Sequence, residues 1–434
     1  MKKNQQTAVA EELQRLRSQI GDGVGAVVID PGNYDVKVAK AVIVSAKNSK
    51  TGKQEMRLEW ERYHFRHGVV TLNDTEYDVE CHRLKQQGMR AESLVFQKVY
   101  KEDGVRVPIN YMIGQRARER AQNKKGASKY IQGYLDALIY GVLLKLYPDG
   151  HDCLIVSVGH PAHLWQYASQ IVNVVGGRHT LKTHDGREVK FNTVGVTTWD
   201  EPNGGSAWFL NGTSQEAFFA PDAMGGNGGK FNFNDLSAAL RIGVFDIGGT
   251  YTTVQAVEVE RDHNRQWMIE TTVDSSGDVD YGLNDVMEAL KTELRTRHKD
   301  AFRSKDIPDH VLQDIIMTGS AVVRGNTFDA GLAREEALYT IKSHLLGLFE
   351  DRLQNGLGIS LFVLTGGGSA VLHAAFKSGD IIPVDPNVIV LADRNIKDIR
   401  YANVSGAALI CIQQIEMETL PKLAVALVRA GKSS

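Results

Sequence analysis

Two turns in the sequence place an aspartate next to glycine at the end of an apolar run. Asp30 ends the run VGAVVID and precedes Pro31, Gly32 and Asn33. Asp246 ends LRIGVFD and precedes Ile247-Gly248-Gly249-Thr250. Glycine turns let backbone N–H groups approach a phosphate tail, because no Cβ stands in the way. Paired aspartates could hold a divalent cation such as Mg²⁺, directly or through its waters. The pattern predicts a site for a phosphate-bearing ligand and its metal ion.

A lysine and a third glycine turn strengthen this prediction. Lys37 follows Asp30 by seven residues, where its ammonium could contact the bridging and terminal phosphates. The apolar run ISLFVL is followed by TGGGSAV, in which Gly366, Gly367 and Gly368 would let a purine ring or an α-phosphate lie on the backbone. Taken singly, an Asp before Gly is usually a turn former, and a lysine in a strand is usually solvated. It is the ordered set of three turns that indicates a nucleotide site.

The segments around these turns predict an α/β fold. Each aspartate turn joins two apolar runs and is typical of a β-hairpin. The two hairpins lie half a chain apart, which suggests two similar halves. Helical periodicity alternates with these strands; it covers residues 130–146, 283–294, 333–353 and 404–415.

Composition limits the classes of partner. The 434 residues carry 50 Lys and Arg against 52 Asp and Glu, so no strong global field favours direct nucleic-acid binding. Cys81, Cys153 and Cys411 lack the spacing of a zinc site or a disulfide framework. The N-terminus has no apolar core of a signal peptide, and no apolar run is long enough to span a bilayer. We therefore expect a cytoplasmic protein, with a membrane partner disfavoured.

Several of these segments resemble one superfamily, which contains actin, sugar kinases and heat-shock ATPases. The spacing from Asp30-x-Gly32 to Lys37 resembles the first phosphate loop of actins, DIGGTYTTV the second phosphate loop, and LTGGGSAVL the adenosine motif. Three further segments resemble landmarks of bacterial plasmid-segregation actins of the ParM type: YMIG at 111–114, EPNGG at 201–205 and YANVSG at 401–406. The resemblance runs in order over nearly the whole chain.

This resemblance implies an actin-like fold of two similar domains, each with a mixed β-sheet flanked by helices, and a nucleotide in the cleft between them. The implied boundaries are an N-terminal extension at 1–20, domain I at 21–202 with an inserted subdomain at about 47–115, domain II at 203–400 with a subdomain at about 282–350, and a C-terminal helix at 401–434 returning to domain I.

It also implies a ligand set and residue roles. The nucleotide is expected to be ATP, with GTP as the alternative, bound with Mg²⁺ on Asp30 and Asp246. Glu201 and Asp246 are the implied catalytic residues, and Glu201 would orient the attacking water; Asp200 is an alternative equivalent, and Glu201 could instead simply cap a helix that begins near Pro202. The implied nucleotide-binding residues are Asp30, Gly32, Asn33, Lys37, Gly248, Gly249, Thr250, Gly366, Gly367 and Gly368.

The function implied is that of a nucleotide-driven, filament-forming ATPase that segregates plasmid or other DNA through a DNA-binding adaptor protein. Its partner would be a second copy of itself, since head-to-tail contacts propagate without closing. A membrane-associated cytoskeletal actin homologue and a non-polymerising small-molecule kinase are the alternatives. A chaperone-like ATPase fits less well, because no segment after the C-terminal helix could form a substrate-binding domain.

Two segments are expected to be specific to this chain. Leu13, Leu16 and Ile20 lie at helical spacing in a polar N-terminal segment, which predicts a short solvated or frayed helix. The alternative is a helix that docks on a partner or a membrane surface. Residues 211–240 are predicted to form a long glycine-rich loop.

Overall fold

The computed structural model describes most of the chain. The described residues are 3–21, 23–32, 35–47, 54–66, 68–87, 93–102, 105–120, 133–211, 240–261, 267–299, 302, 307–323, 325–385, 388–393, 398–415 and 419–430. The predicted loop at 211–240 lies almost wholly outside these ranges. Within them, no helix has the length and apolar character that a membrane span requires.

The chain divides into two compact units. Unit 1 consists of Met1–His160, Leu164–Trp199 and Ala408–Ser434, and unit 2 consists of Pro161–His163 and Asp200–Ala407. Each unit is built around its own β-sheet.

Unit 1 contains a mixed nine-stranded sheet with the order β3-β2-β1-β7-β9-β8-β5-β6-β4. Strands β1 and β2 form the predicted antiparallel hairpin, and β7 lies parallel to β1 on its other side. The strands are β1 (Gly25–Pro31), β2 (Asp35–Lys47), β3 (Gln54–Arg66), β4 (Val69–Leu72), β5 (Ser93–Glu102), β6 (Val105–Gly114), β7 (His151–His160), β8 (Gly177–Thr183) and β9 (Glu188–Asp200).

Helices cover this sheet, and one of them is buried almost throughout. That helix, α4 (Leu135–Leu146), carries apolar residues on nearly every face and packs into the main core of the unit. Gly150, in the left-handed region at φ +88°, follows the helix end, as the Pro-Asp-Gly cluster there predicts. The other helices are α1 (Lys3–Ser18), α2 (Asp74–Gln87), α3 (Gln115–Arg120) and α5 (Ala168–Val175).

Unit 2 contains a five-stranded sheet with the order β12-β11-β10-β15-β16. Strands β10 and β11 form the second predicted hairpin, and β15 lies parallel to β10. The strands are β10 (Leu240–Ile247), β11 (Thr252–Arg261), β12 (Trp267–Val279), β15 (Leu361–Thr365) and β16 (Ile389–Leu391), with β13 (Ser320–Val323) and β14 (Asn326–Asp329) forming a separate two-stranded sheet.

Both faces of β10 are buried, which explains why this strand is largely apolar. Phe245 and Ile247 lie in one apolar cluster, whereas Ile242 and Val244 lie in another, as the alternation of side chains along a strand requires. The helices of this unit are α6 (Glu201–Asn211), α7 (Leu283–Arg297), α8 (Asp309–Thr318), α9 (Gly331–Leu353), α10 (Ser369–Lys377) and the start of α11 (Ala402–Gln414).

The prediction of a solvated N-terminal helix is wrong. Helix α1 packs against the last helix of the chain, α12 (Leu420–Ala430), within unit 1. Leu16 and Ile20 are almost fully buried, as are Leu420 and Ala424 of the C-terminal segment. The sequence pattern was helical, but its apolar residues pack on a helix from the opposite end of the chain.

Candidate functional site

The first aspartate turn, in unit 1, is closed by an ion pair. Asp30 and Lys37 are cross-strand partners in the β1–β2 hairpin, so their side chains lie on the same face of the sheet. Lys37 Nζ lies 2.8 Å from Asp30 Oδ2, with the aspartate side chain 3% and the lysine side chain 17% exposed. One oxygen of Asp30 is thus bound to an ammonium, and a metal ion there would have to share the carboxylate with Lys37.

Gly32 is required by a close approach in this turn. A Cβ at Gly32 would lie 2.6 Å from the carbonyl oxygen of Asp35, which is backbone and cannot easily move. Asn33, also predicted to contact the nucleotide, lies outside the described residues.

The second aspartate, in unit 2, is held by a buried amide. Asn403 of α11 donates from Nδ2 to Asp246 Oδ2 at 2.9 Å. The Thr365 hydroxyl donates to Asn403 Oδ1 at 2.6 Å. Thr365 is also the neighbour of Asp246 in the parallel β10–β15 register. Because both ends of the Asn403 amide are engaged, its orientation is fixed and it fixes the carboxylate in turn.

The glycine turn after β15 packs directly onto the end of β10. Gly366 is in the left-handed region at φ +83°, and a Cβ there would lie 2.5 Å from the Ile247 carbonyl oxygen and even closer to Asp246 Oδ1. The Gly368 N–H donates to the Ile247 carbonyl at 2.8 Å. Gly367 differs, since its nearest neighbour would be Arg400 Cβ at 3.8 Å. The second and third glycine turns of the sequence therefore form one cluster.

The turn at Gly248 is fixed on its other side by the start of α7. The Gly248 N–H donates to the Tyr251 carbonyl at 2.8 Å, and the Asn284 N–H donates to the Gly249 carbonyl at 2.6 Å. Gly282, the N-cap of α7, fits against this turn so closely that a Cβ would lie 2.7 Å from the Thr250 nitrogen. Gly282 was not among the predicted site residues.

One buried hydroxyl group in this turn, that of Thr250, is available to form a hydrogen bond. Among the residues that the structure describes, Thr250 Oγ1 is buried and has no hydrogen-bond partner. Buried hydroxyl groups are normally bonded, and an exception calls for a ligand or an ordered water. A phosphate oxygen is the kind of acceptor that this hydroxyl lacks, so the turn fits a phosphorylated ligand.

The predicted water-positioning residue lies at the start of α6. Asp200 ends β9 and Glu201 opens α6, where it is nearly buried, so the acid-then-proline start of this helix is confirmed. Burial raises the pKa of Tyr251 well above its usual range, and Asp278 and the charge of Glu201 raise it further. The charge of Glu201 is thus one contribution to the raised pKa of Tyr251, which belongs to the turn after Asp246 in the same unit.

Helices α6 and α11 meet through glycines, and this contact positions Asn403. A Cβ on Gly406 would overlap the Gly204 carbonyl oxygen, and a Cβ on Gly205 would lie 2.9 Å from Asn403 Oδ1. The segments EPNGG and YANVSG therefore pack on each other, because only glycine lets two helix backbones approach so closely.

Mg²⁺ usually takes one or two protein carboxylates and completes its shell with waters and phosphate oxygens. In the part of the chain that the structure describes, no three His, Cys, Asp or Glu side chains converge to hold a metal ion. A single oriented carboxylate beside glycine turns, such as Asp246, suits a Mg²⁺ that takes its other ligands from a nucleotide and water.

Comparisons with solved structures identify the fold. The archaeal actin homologue Ta0583, also solved in complex with ADP, is 15% identical and superposes with a TM-score of 0.58 over 90% of this chain and 100% of its own. The actin-like protein Alp7A gives 11% identity and a TM-score of 0.60 over 92% and 99% of the two chains. ParM of Bacillus thuringiensis with ATP gives 12% identity and a TM-score of 0.55 over 91% and 99%. The chain therefore has the actin-like fold predicted from its sequence.

A sequence family adds to this result for part of unit 2. The C-terminal region of archaeal MreB-like actin homologues matches residues 244–378, which include the second and third glycine turns. No curated protein sequence matches the chain. The chain thus has an actin-like fold, similar to that of ParM and Alp7A.

Proposed function

We propose that this chain is an ATPase that binds ATP with Mg²⁺ and polymerises in a nucleotide-dependent manner. The observation that carries the proposal is the cluster in unit 2 where Asp246, Asn403 and two glycine turns converge. Its supports are the actin-like fold, the ADP complex of Ta0583 and the ATP complex of B. thuringiensis ParM.

We assign the nucleotide contacts by chemistry. The turn at Gly248, Gly249 and Thr250 would bind phosphate oxygens, and the turn at Gly366–Gly368 would lie against the α-phosphate or the purine. In unit 1, Asp30, Gly32, Asn33 and Lys37 would contact the phosphates, with Lys37 releasing part of its interaction with Asp30 to do so.

We assign the metal site and the hydrolytic residues by the same chemical reasoning. When bound, Mg²⁺ would neutralise charge that develops on the phosphates, and Asp246 would hold it directly or through water, with Asp30 as the second carboxylate. Glu201 would orient the attacking water. Its contribution is positional, because phosphoryl transfer depends mainly on alignment and charge stabilisation.

The filament and its cargo are the further step of the proposal. Similarity to ParM and Alp7A supports a head-to-tail polymer of this chain that moves plasmid or other DNA through an adaptor protein. The near-even charge balance of the chain agrees with an adaptor rather than direct DNA contact.

Light scattering and negative-stain microscopy of the purified chain test this proposal. We expect filaments with ATP·Mg²⁺, fewer or none with ADP·Mg²⁺, and none without nucleotide. Glu201→Gln should bind ATP and polymerise but hydrolyse it at least about 100-fold more slowly. A protein that hydrolyses ATP but stays monomeric under all conditions would refute the filament and favour a small-molecule kinase.

A further inference from the structure

A second polar site lies in unit 1, on residues that the proposed ATPase does not use. A cavity of about 910 Å³ opens between β5, β6, α5 and the β8–β9 hairpin. This volume falls in the range of small-molecule pockets. Four basic side chains line it, against two carboxylates, and the basic ones are Lys98, Arg106, Arg178 and Lys190.

The floor of the cavity is a buried ion pair. Lys98 Nζ lies 2.6 Å from Asp136 Oδ2, and both side chains are at most 4% exposed. Asp136 is fully bonded within the protein, because the Tyr100 hydroxyl also donates to Oδ2 and the Gly133 and Ala137 N–H groups donate to Oδ1. Lys98 is not. Asp136 takes one of its three donors, and the rings of Tyr100 and Tyr140 lie within 5.0 Å of the ammonium.

The rim carries cations that lack an internal counter-charge. In the described part of the chain, Arg106, Arg178 and Lys190 make no ion pair, although Arg187 on the same hairpin pairs with Asp185 and Asp149. His179, also on the wall, adds no charge at neutral pH, because burial and the nearby Lys98 lower its pKa to about 4. The cavity thus has an excess of positive charge at its rim, above a floor where the charges of Lys98 and Asp136 balance.

We propose that this cavity binds a small molecule with two or more anionic groups. One anionic group would accept from the Lys98 donors at the floor, and another would contact Arg178 and Lys190 at the rim. A concave site of this size favours a compact ligand over an extended acidic segment. Charge-assisted hydrogen bonds of this kind account for both affinity and orientation.

Calorimetric titration of the full chain with inorganic pyrophosphate, and separately with citrate, tests the proposal. The titrations are done in metal-free buffer with and without saturating ADP, so that binding at the nucleotide site is recognised by competition. We expect saturable binding that ADP does not abolish. The stronger of the two probes would show whether phosphate or carboxylate groups are preferred.

Two matched arginine variants decide the location. Arg178→Ser should weaken binding about tenfold, since it removes one charge-assisted contact. Arg187→Ser, an exposed arginine on the same hairpin but outside the cavity, should change affinity less than about twofold. No saturable binding of either anion, binding abolished by ADP, or equal losses in the two variants would overturn the proposal.

Discussion

The two aspartate turns begin from the same local structure and acquire different partners. In each unit the aspartate ends one strand of an antiparallel three-stranded meander, and a parallel strand lies on its other side. Asp30 has Lys37 as its cross-strand partner and pairs with its ammonium. Asp246 has Thr253 in the equivalent place and accepts instead from Asn403, which reaches it from a distant helix.

The two carboxylates are therefore stabilised in different ways: the charge of Asp30 is compensated, and the orientation of Asp246 is fixed. An ammonium compensates the charge of a carboxylate, whereas an amide bonded at both ends mainly fixes its direction. We therefore expect the turn in unit 1 to depend on a charge pair, and the turn in unit 2 to depend on a rigid arrangement of neutral groups and glycines. The four predictions below test that contrast.

The largest expected effect is on the stability of the turn in unit 1. Lys37→Met leaves Asp30 buried without its cation and should lower the free energy of unfolding by about 3–5 kcal/mol. Urea denaturation measures this, and the double variant Lys37→Met/Asp30→Asn should recover part of the loss. Arg66→Met, which removes an exposed ion pair with Asp35, should cost less than about 1 kcal/mol. Similar losses of unfolding free energy in Lys37→Met and Arg66→Met would show that the turn in unit 1 does not depend on its buried charge pair.

The next effect is on hydrolysis. Asp246→Asn keeps the shape of the side chain but removes its charge. The new amide NH₂ group can also face Asn403 Nδ2, which would place two hydrogen-bond donors against each other. The rate of ATP hydrolysis should fall about 100-fold or more, measured by phosphate release at saturating ATP. Asp351→Asn, at an exposed position on α9, is the control and should keep the wild-type rate. A normal rate in Asp246→Asn would remove Asp246 from the site.

A pair of glycine variants tests the rigidity of the unit 2 cluster. Gly366→Ala places a methyl group against Ile247 and Asp246 at a positive φ and should cost about 2–3 kcal/mol of stability. Gly367→Ala would make only an ordinary van der Waals contact, with Arg400 Cβ at 3.8 Å, and should leave thermal stability within about 0.5 kcal/mol of wild type. If the two variants have the same melting temperature, the close packing of this turn on β10 does not contribute to the stability of the protein.

The smallest effect concerns the hydroxyl that holds Asn403. Thr365→Val keeps the volume and removes the donor, leaving Asn403 Oδ1 without its bond, so stability should fall by about 1–2 kcal/mol. Thr365→Ser retains the hydroxyl and should lower the ATPase rate less than Thr365→Val. Calorimetry and steady-state kinetics on both variants measure this, and the reverse order would show that Asn403 is positioned by packing alone.

The sequence allows the parts of this arrangement that lie close together in the chain to be predicted. Contacts between residues from separate segments could not be predicted from it. Both hairpins, the glycine turns and the start of α6 at Glu201 follow from short patterns, and the structure confirms them. The sequence did not predict the contacts that Asn403, Thr365 and Gly282 make with Asp246 and its turn, because these residues come from separate segments. The pairing of Asp30 with Lys37 was within reach, since a tight turn places residues seven apart directly across the hairpin.

The packing of α1 on α12 has a consequence for how this protein folds. The two helices are about 400 residues apart, so this contact closes a long loop and is costly in chain entropy. During synthesis, the apolar side of α1 emerges long before its packing partner α12. We expect this helix pair to form late, and the apolar side of α1 to be a candidate for transient binding by chaperones in the meantime.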